Sequence, residues 1–351
     1  MTGHLVPDYP HHLAGHCGSG SLRDLIEWAG LDYAGTPLSE SMVFGLGGDL
    51  GFRYVRGTGL GTPFYLVGRG PELTTRLCSR LGIGHEVRST DDPELGWSWV
   101  RAEVDAGRPV LCWADMGELP YLNVRMHMSR HDIVVIGYDG AAGTVQVVDN
   151  DRADVQTIGL DDLARARRST AFPVPTRHTC YPMRFPDALP PIAVAAASAC
   201  ADSAEGMAAD VGPSLGDPDS VQGAGLTGIG VFVDDLDSWA RLWDDQHLDV
   251  ALRALAVFIE KAGTGGGLFR RFQADFLAEL HDLCPIPAVA GARDAWTPVA
   301  ETWRRIAHRA TSSSGTAAER HDVIRQLSAP LPEMETAAVK ALADAATDLA
   351  A

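Results

Sequence analysis

The residues around Cys17 have the types and spacing of a helix entrance that presents a nucleophile. The small residues Gly18–Ser21 are followed by apolar residues at positions 22, 25, 26 and 29, the spacing of one helical face. Unpaired amides and the dipole at such an N-terminus stabilise a thiolate, and the amide of the same cysteine could help to hold an oxyanion. The segment therefore predicts a nucleophilic cysteine, although a small buried residue in a turn would give the same pattern.

A histidine at the start of a second segment is a candidate base for this thiol. His131 begins a β-branched run that ends at Tyr138, and a return run begins at Thr144 after a turn. If Tyr138 pairs with Thr144, residue i pairs with residue 282 − i, so His131 lies opposite Asp151 and diagonal to Asp149 on one face. A carboxylate there would select the imidazole tautomer and stabilise its protonated form. A slip of one residue would move both acids to the other face, so this prediction depends on the register.

The remaining cysteine and histidine spacings carry no further signal. The six cysteines are scattered, without a CxxC pair, which is typical of reduced thiols. The histidines at 4, 11, 12 and 16 are close to Cys17 but match no common zinc spacing. We therefore predict no metal site.

The chain changes character near residue 180. Before it, strands are predicted at 43–46, 64–67, 86–88, 110–113, 133–138 and 145–148, between helices at 19–29, 72–81, 94–106 and 161–168. Residues 172–191 contain six prolines and are predicted to be a linker, after which almost every segment has helical spacing. We predict an α+β domain over residues 1–175 and an all-helical domain over residues 176–351.

Composition excludes several classes of protein. The chain has 29 basic and 46 acidic residues, a net charge of −17, and so would repel a nucleic-acid backbone. The longest apolar run, 192–201, is too short to span a bilayer, and the N-terminal residues lack a signal-peptide pattern. We expect a cytoplasmic protein that binds neither nucleic acid nor a membrane.

Several segments together resemble one family. HCGSGSLRDLIEWAG, LSESMVFGLGGDLGFRYV, PFYLVGRG, PVLCWADMGELPY and HDIVVIGYD resemble the N-terminal domain of the butirosin biosynthesis protein H family. FPDALPPIAVAAASA, GLTGIGVFVDDLDSW and GTGGGLFRRFQADFL resemble the helical domain that accompanies it. The order Cys, His, Asp is also similar to that of the papain-like fold, which the resemblance implies for the first domain.

The resemblance implies a cysteine-dependent acyltransferase of antibiotic biosynthesis. Cys17 would take an acyl group from an acyl carrier protein thioester, and His131 would deprotonate first Cys17 and then an incoming amine. Asp149 would orient His131, with Asp151 as the alternative acid. No cofactor is implied, because the acyl group arrives on the phosphopantetheine of the carrier. The same triad could instead serve a thioesterase, a cyclase, a peptidase or an amidase, and a carrier-docking scaffold is the non-catalytic alternative.

Papain-like enzymes usually place a glutamine about six residues before the cysteine as an oxyanion donor. In this chain that position is His11, so either His11 or the neighbouring His12 donates, or the second donor comes from elsewhere.

Two glycine-rich segments and the charge distribution add predictions about substrates. Residues 45–51 lack a nucleotide-loop register and predict a tight turn near the site, with a substrate cleft formed by Phe44, Gly47, Gly48, Tyr121 and Asn123. Residues 263–267 predict a helix stop, or alternatively a carrier contact formed by Leu268, Arg270 and Arg271.

The acidic surface would attract a small, polycationic amine acceptor. The acidic carrier would then dock at local arginine clusters, which are 165, 167 and 168, 270 and 271, and 304 and 305. The amphipathic tail 317–351 could dock a partner or form a homodimer.

Overall fold

The computed structural model describes residues 3–58, 60–209, 219–262 and 264–351. In chain order the helices are α1 (Cys17–Trp28), α2 (Glu40–Gly47), α3 (Leu73–Arg80), α4 (Pro93–Asp105), α5 (Leu160–Ala166), α6 (Ile192–Ala208), α7 (Gly225–Leu242), α8 (Asp245–Glu260), α9 (Arg270–Leu283), α10 (Pro287–Ala310), α11 (Ala317–Ser328) and α12 (Leu331–Ala350). The strands are β1 (His4–Leu5), β2 (Asp32–Tyr33), β3 (Thr36–Pro37), β4 (Leu50–Arg56), β5 (Tyr65–Arg69), β6 (Gly84–His85), β7 (Val110–Ala114), β8 (His131–Asp139), β9 (Thr144–Val148), β10 (Gln156–Gly159), β11 (Cys180–Tyr181), β12 (Met183–Arg184) and β13 (Val221–Ala224).

The first of two compact units contains residues 1–40 and 81–189. Its main sheet has the strand order β10-β9-β8-β7-β11, with every neighbouring pair antiparallel, and β1 pairs with the far end of β8. Branched side chains of β7, β8 and β9 form a buried core together with Val100 and Val104 of α4. Helix α1 contacts β8, and its buried residues include the apolar Leu22, Leu25 and Ile26.

The second unit contains residues 41–80 and 190–351. Strand β4 lies between β5 and β13 in a three-stranded antiparallel sheet, and the remaining elements are helices. Aromatic side chains fill its core, among them Phe52, Tyr54, Phe232, Trp239 and Trp303. The mixed α/β first part and the helical C-terminal part agree with the predicted fold class at this level.

The division of the chain differs from the predicted boundary at residue 175. Residues 41–80 belong to the second unit because β4 pairs with β13, far along the chain, in the register Val221↔Arg56. The predicted linker 172–191 contains β11 and β12, and β11 extends the first sheet by pairing Cys180 with Cys112. Local composition marks proline-rich stretches, but it does not reveal such long-range pairing.

One predicted strand is a helix in the structure. The predicted strand 43–46 lies within helix α2, where every residue from Ser41 to Gly47 is buried. A short apolar run that is buried on all sides has no periodicity to separate helix from strand. In the amphipathic tail, Leu331, Leu342 and Ala345 of α12 are buried, and α12 contacts α6 and α10 of its own unit; docking of a partner by the tail stays a prediction.

The register of the β8–β9 hairpin is the feature that positions the candidate site. Tyr138 pairs with Val145, one residue away from the predicted partner, but a bulge between Val135 and Gly137 restores the predicted register at Val134↔Val148. An added residue in one strand moves all later side chains to the other face. The register prediction was therefore wrong at the turn and right at the end of the hairpin where the site lies.

None of the described helices is long and apolar enough to cross a membrane.

Candidate active site

Helix α1 begins at Cys17, and its N-terminal turn is tightly organised. His16 has extended backbone angles and caps the helix, because its Nδ1 accepts a hydrogen bond from the Ser19 amide over 3.2 Å. A Cβ atom at Gly18 would meet the Asp132 carboxylate at 2.9 Å, so glycine allows the end of β8 to approach the helix closely. The nucleophile predicted from the sequence thus lies in the first turn of a helix.

Cys17 differs from most of the other cysteines in its exposure. Cys78, Cys112, Cys180 and Cys200 are fully buried, whereas Cys17 is only half-buried. Burial raises the pKa of Cys78, of Cys180 and of Cys200 to about 12 in each case, which keeps these thiols protonated. Cys17 is half-buried and hydrogen bonds with a candidate base, whereas burial raises the pKa of Cys284, the other half-buried cysteine.

His131, the first residue of β8, connects Cys17 to an acid. Its Nε2 donates to Asp149 Oδ2 over 2.8 Å, and the ring also hydrogen bonds with Cys17. Since Nε2 is engaged by the carboxylate, Nδ1 is the nitrogen left for the thiol. Burial alone lowers the pKa of His131, but the charges of Asp149 and Cys17 and its hydrogen bonds to both raise it well above the ordinary value. The surroundings of His131 thus favour its protonated form.

Asp149 is fully buried directly after β9 and receives three hydrogen bonds. The donors are His131, the Tyr121 hydroxyl at 2.8 Å and the Asp151 amide at 3.1 Å. Burial would raise the pKa of Asp149, but the charge of His131 and these hydrogen bonds lower it below its usual value. The carboxylate therefore stays ionised and holds the imidazole in one tautomer.

The alternative acid, Asp151, has a different environment. Its side chain is exposed, and its backbone amide supports Asp149. Within the described part of the chain, ligand atoms of His131, Asp149 and Asp151 lie within 4.8 Å of one another, as do those of His12, Asp24 and Glu27. These two groups are the ones that could hold a cation, and the first would do so with the side chains of the triad.

The two predicted oxyanion donors are engaged elsewhere. His11 Nε2 donates to the Arg152 carbonyl over 2.7 Å, and its Nδ1 lies 3.9 Å from the Asp24 carboxylate. His12 Nε2 lies 3.0 Å from Glu27 at the surface. We therefore assign the oxyanion role to neither histidine.

Two residues beside Asp149 were not predicted from the sequence. Asn150 donates to the His12 carbonyl over 2.7 Å and to Asp24 over 2.8 Å, which ties the end of β9 to the segment before α1. Arg152 donates to the carbonyls of Tyr121 and Leu122, which fixes the loop that carries the tyrosine. The only signal in the sequence was their position next to the two acids.

The five residues of the predicted substrate cleft have different surroundings, and a cleft role for Tyr121 and Asn123 stays a prediction. Tyr121 supports Asp149 through its hydroxyl. Asn123 is exposed, with a φ of 53°. Phe44 is buried and stacks on Phe269 with ring centroids 4.9 Å apart.

The two glycines of that cleft are also packed within the second unit. A Cβ at Gly47 would meet Leu73 at 2.2 Å, and one at Gly48 would meet the Arg80 guanidinium at 2.8 Å. Phe44, Gly47 and Gly48 thus fill space in their own unit, which is the physical reason that they do not form open walls.

Two of the three predicted carrier contacts are packed within their own unit, whereas the role of the exposed Arg271 stays a prediction. Leu268 and Arg270 are fully buried, and Arg270 donates to Glu335 and to the carbonyls of Gly51 and Gly68. Arg271 is exposed, 3.4 Å from Asp275.

Backbone amides of this turn are also engaged within the second unit. The Gly267 amide donates to the Glu260 carboxylate over 3.1 Å, and the Phe269 amide donates to the Thr264 carbonyl over 2.9 Å. The arginine cluster 165, 167 and 168 also offers less positive charge to a carrier than predicted, because Arg167 is buried and Arg165 is paired with Asp162.

Comparison with known families agrees with the resemblance seen in the sequence. Residues 16–150 match the family model of butirosin biosynthesis protein H, N-terminal, and residues 161–342 match a domain of unknown function (DUF4872). The search of curated proteins gives no match. The first match covers Cys17, His131 and Asp149, and the second covers more than half of the chain. The chain therefore belongs to the two-domain family in which a butirosin biosynthesis protein H N-terminal domain precedes the DUF4872 domain.

Proposed function

We propose that this chain is a cysteine-dependent acyltransferase with a papain-like catalytic unit. It moves an acyl group from an acyl carrier protein thioester, through a thioester on Cys17, to an amine. The observation that carries the proposal is the hydrogen-bonded series Cys17–His131–Asp149 at the entrance of α1. Its occurrence in a family named for a biosynthetic protein favours biosynthesis over digestion of proteins.

In the first half-reaction His131 accepts the thiol proton, and the Cys17 thiolate attacks the thioester carbonyl of the donor. The Cys17 amide lies in the first turn of α1 and would donate to the resulting oxyanion. Collapse of this intermediate breaks the bond to the carrier sulfur, which leaves with the proton from His131. The acyl group is then held as a thioester on Cys17.

In the second half-reaction an amine attacks the Cys17 thioester and gives its proton to His131. Collapse forms the amide and returns the proton to Cys17, so that no net proton is gained or lost. Asp149 stays ionised throughout because the imidazolium and the Tyr121 hydroxyl both donate to it. With a net charge of −17, the protein would also concentrate a cationic acceptor at its surface.

The defining experiment is incubation with an acyl carrier protein thioester followed by intact-mass measurement. We expect one acyl adduct on the wild-type chain, located on Cys17 by peptide mapping, and no adduct on Cys17→Ala. Addition of a polyamine acceptor should discharge the adduct as an amide faster than water discharges it.

Other outcomes would replace the proposal. Discharge to water alone would define a thioesterase, and cleavage of amides without a carrier would define a peptidase or amidase. Carrier binding without acylation would define a scaffold. Loss of activity in EDTA that is restored by a divalent cation would favour the cation-holding group at His131, Asp149 and Asp151 over the triad.

A further inference from the structure

Glu40, the first residue of α2, makes three hydrogen bonds to the turn that presents Cys17. Its Oε2 accepts from the Gly15 amide over 2.9 Å. Its Oε1 accepts from the His16 amide over 2.8 Å and from the Ser19 hydroxyl over 2.9 Å. One carboxylate thus holds residues on both sides of the nucleophile.

The environment of Glu40 shows that this carboxylate acts as an acceptor. Burial raises its pKa, although the hydrogen bonds from Gly15, Ser19 and His16 oppose that rise. Glu40 is half-buried, so its carboxylate loses part of its water, and its three partners, all of them donors, compensate for that loss. The donors of the turn therefore stabilise the Glu40 carboxylate, and the carboxylate in turn holds the turn in place.

The geometry of the turn decides where the Cys17 amide points. Within the described ranges, the Cys17 and Gly18 amides have no protein acceptor, whereas the Ser19 amide donates to His16. Because Glu40 holds the amides of the two residues before Cys17, it limits the rotation of the peptide plane that carries the Cys17 amide. Neither His11 nor His12 is available as an oxyanion donor, which increases the importance of this amide.

We propose that Glu40 is a positioning residue for the acylation step, which keeps the Cys17 amide aimed at the oxygen of the bound thioester. This inference rests on the proposed function, because it assigns Glu40 a role in acyl transfer by the same cysteine. Glu40 touches neither the thiol nor His131 in this role. It acts through the backbone of residues 15–19.

Two reactions of Cys17 separate positioning from general damage. Acylation passes through an oxyanion, whereas alkylation by iodoacetamide is a direct displacement that needs the thiolate but no oxyanion donor. In Glu40→Gln one amide hydrogen would face the donors of the turn, so at least one hydrogen bond is lost. We expect acylation of Glu40→Gln to slow by about 10²-fold, the usual effect of losing one oxyanion donor, while alkylation stays near the wild-type rate.

Matched variants sharpen this test. Glu94→Gln removes the same charge from the first turn of α4, where Glu94 is exposed, and should leave both reactions unchanged. His131→Ala should slow both reactions, because it removes the base. Glu40→Asp keeps the charge but shortens the reach, and should acylate at an intermediate rate. It also serves as the test variant if Glu40→Gln does not fold.

Acylation of Glu40→Gln at the wild-type rate would overturn the inference, as would an equal loss of acylation and alkylation. If the wild-type chain accepts no acyl group from a carrier, the proposed function fails but this test can still be done. Acylation of Cys17 by p-nitrophenyl acetate, which also forms an oxyanion, then replaces the carrier substrate with the same expected ratio.

Discussion

Two fully buried carboxylates in this chain have the same kinds of hydrogen-bond partner, but we expect different roles for them. Asp149 lies in the first unit, 2.8 Å from His131, and Glu335 lies in the second unit, 2.8 Å from Arg270. Each also accepts a hydrogen bond from an aromatic side chain, Tyr121 at 2.8 Å for the first and Trp303 at 2.7 Å for the second.

The two pairs differ in the donor groups of the cation that are not used by the carboxylate. Arg270 gives its other donors to the carbonyls of Gly51, Gly68 and Leu268, and an arginine stays charged at any accessible pH. His131 has a second ring nitrogen, which faces a half-buried thiol, and a proton that it can release. The comparison teaches that a buried ion pair can take part in acid–base chemistry only when its cation can release a proton and has a further nitrogen that faces a reactive group.

The largest expected effect comes from the acid of the first pair. Asp149→Asn keeps the size of the side chain but removes the charge and the preference for one imidazole tautomer. We expect acylation of Cys17 to fall by about 10³- to 10⁴-fold, as for tautomer loss in a comparable triad, with intact-mass kinetics as the measurement. Asp151→Asn is the matched control and should acylate at nearly the wild-type rate. If Asp151→Asn showed the larger loss, the two acids would have to exchange roles.

Substitution in the second pair should lower the stability of the protein and leave the reactivity of Cys17 unchanged. Arg270→Met leaves Glu335 buried without its cation, which typically costs about 3–5 kcal/mol in the free energy of unfolding. We expect a lower urea midpoint, and faster amide exchange in α9 and α12, with an unchanged rate of Cys17 alkylation in the folded protein. The double variant Arg270→Met/Glu335→Met should recover much of the loss. A folded Arg270→Met chain of wild-type stability that fails to accept an acyl group would instead restore Arg270 as a carrier contact.

The smallest effect concerns pH. Because the pKa of His131 is raised on folding, its pair with Asp149 contributes its full stability below the ordinary histidine pKa and loses it as pH rises through the raised value. The pKa of Asp149 is lowered, so its share is present above the ordinary aspartate pKa and is lost as pH falls through the lowered value. The free energy of unfolding should therefore decrease from neutral to alkaline pH.

This alkaline decrease should become smaller in Asp149→Asn, and NMR of the His131 ring should show its titration moving to lower pH. An equal slope in the wild type and in Asp149→Asn would show that other groups cause the pH dependence.

The parts of the site that could be predicted are those with a local signal. Cys17 stands at a helix entrance that is visible in the small residues after it, and His131 begins a strongly β-branched strand. Asp149 required a register, and the bulge before Gly137 cancelled the error made at the turn. By contrast, nothing local shows that Arg270 is buried, because its partners Gly51, Gly68 and Glu335 are distant in sequence. Glu40 was missed for the same reason, since its donors precede it by 21 to 25 residues.

The discontinuous second unit limits how the chain can be divided experimentally. A fragment that began near residue 176 would lack β4 and β5, so β13 would lose its sheet partner and Arg270 would lose the carbonyls of Gly51 and Gly68. A fragment that ended at residue 175 would lose β11 and would keep residues 41–80 without the helices that bury them. Truncation at the proline-rich stretch therefore breaks both units at once, and functions are better separated by point substitution than by cutting.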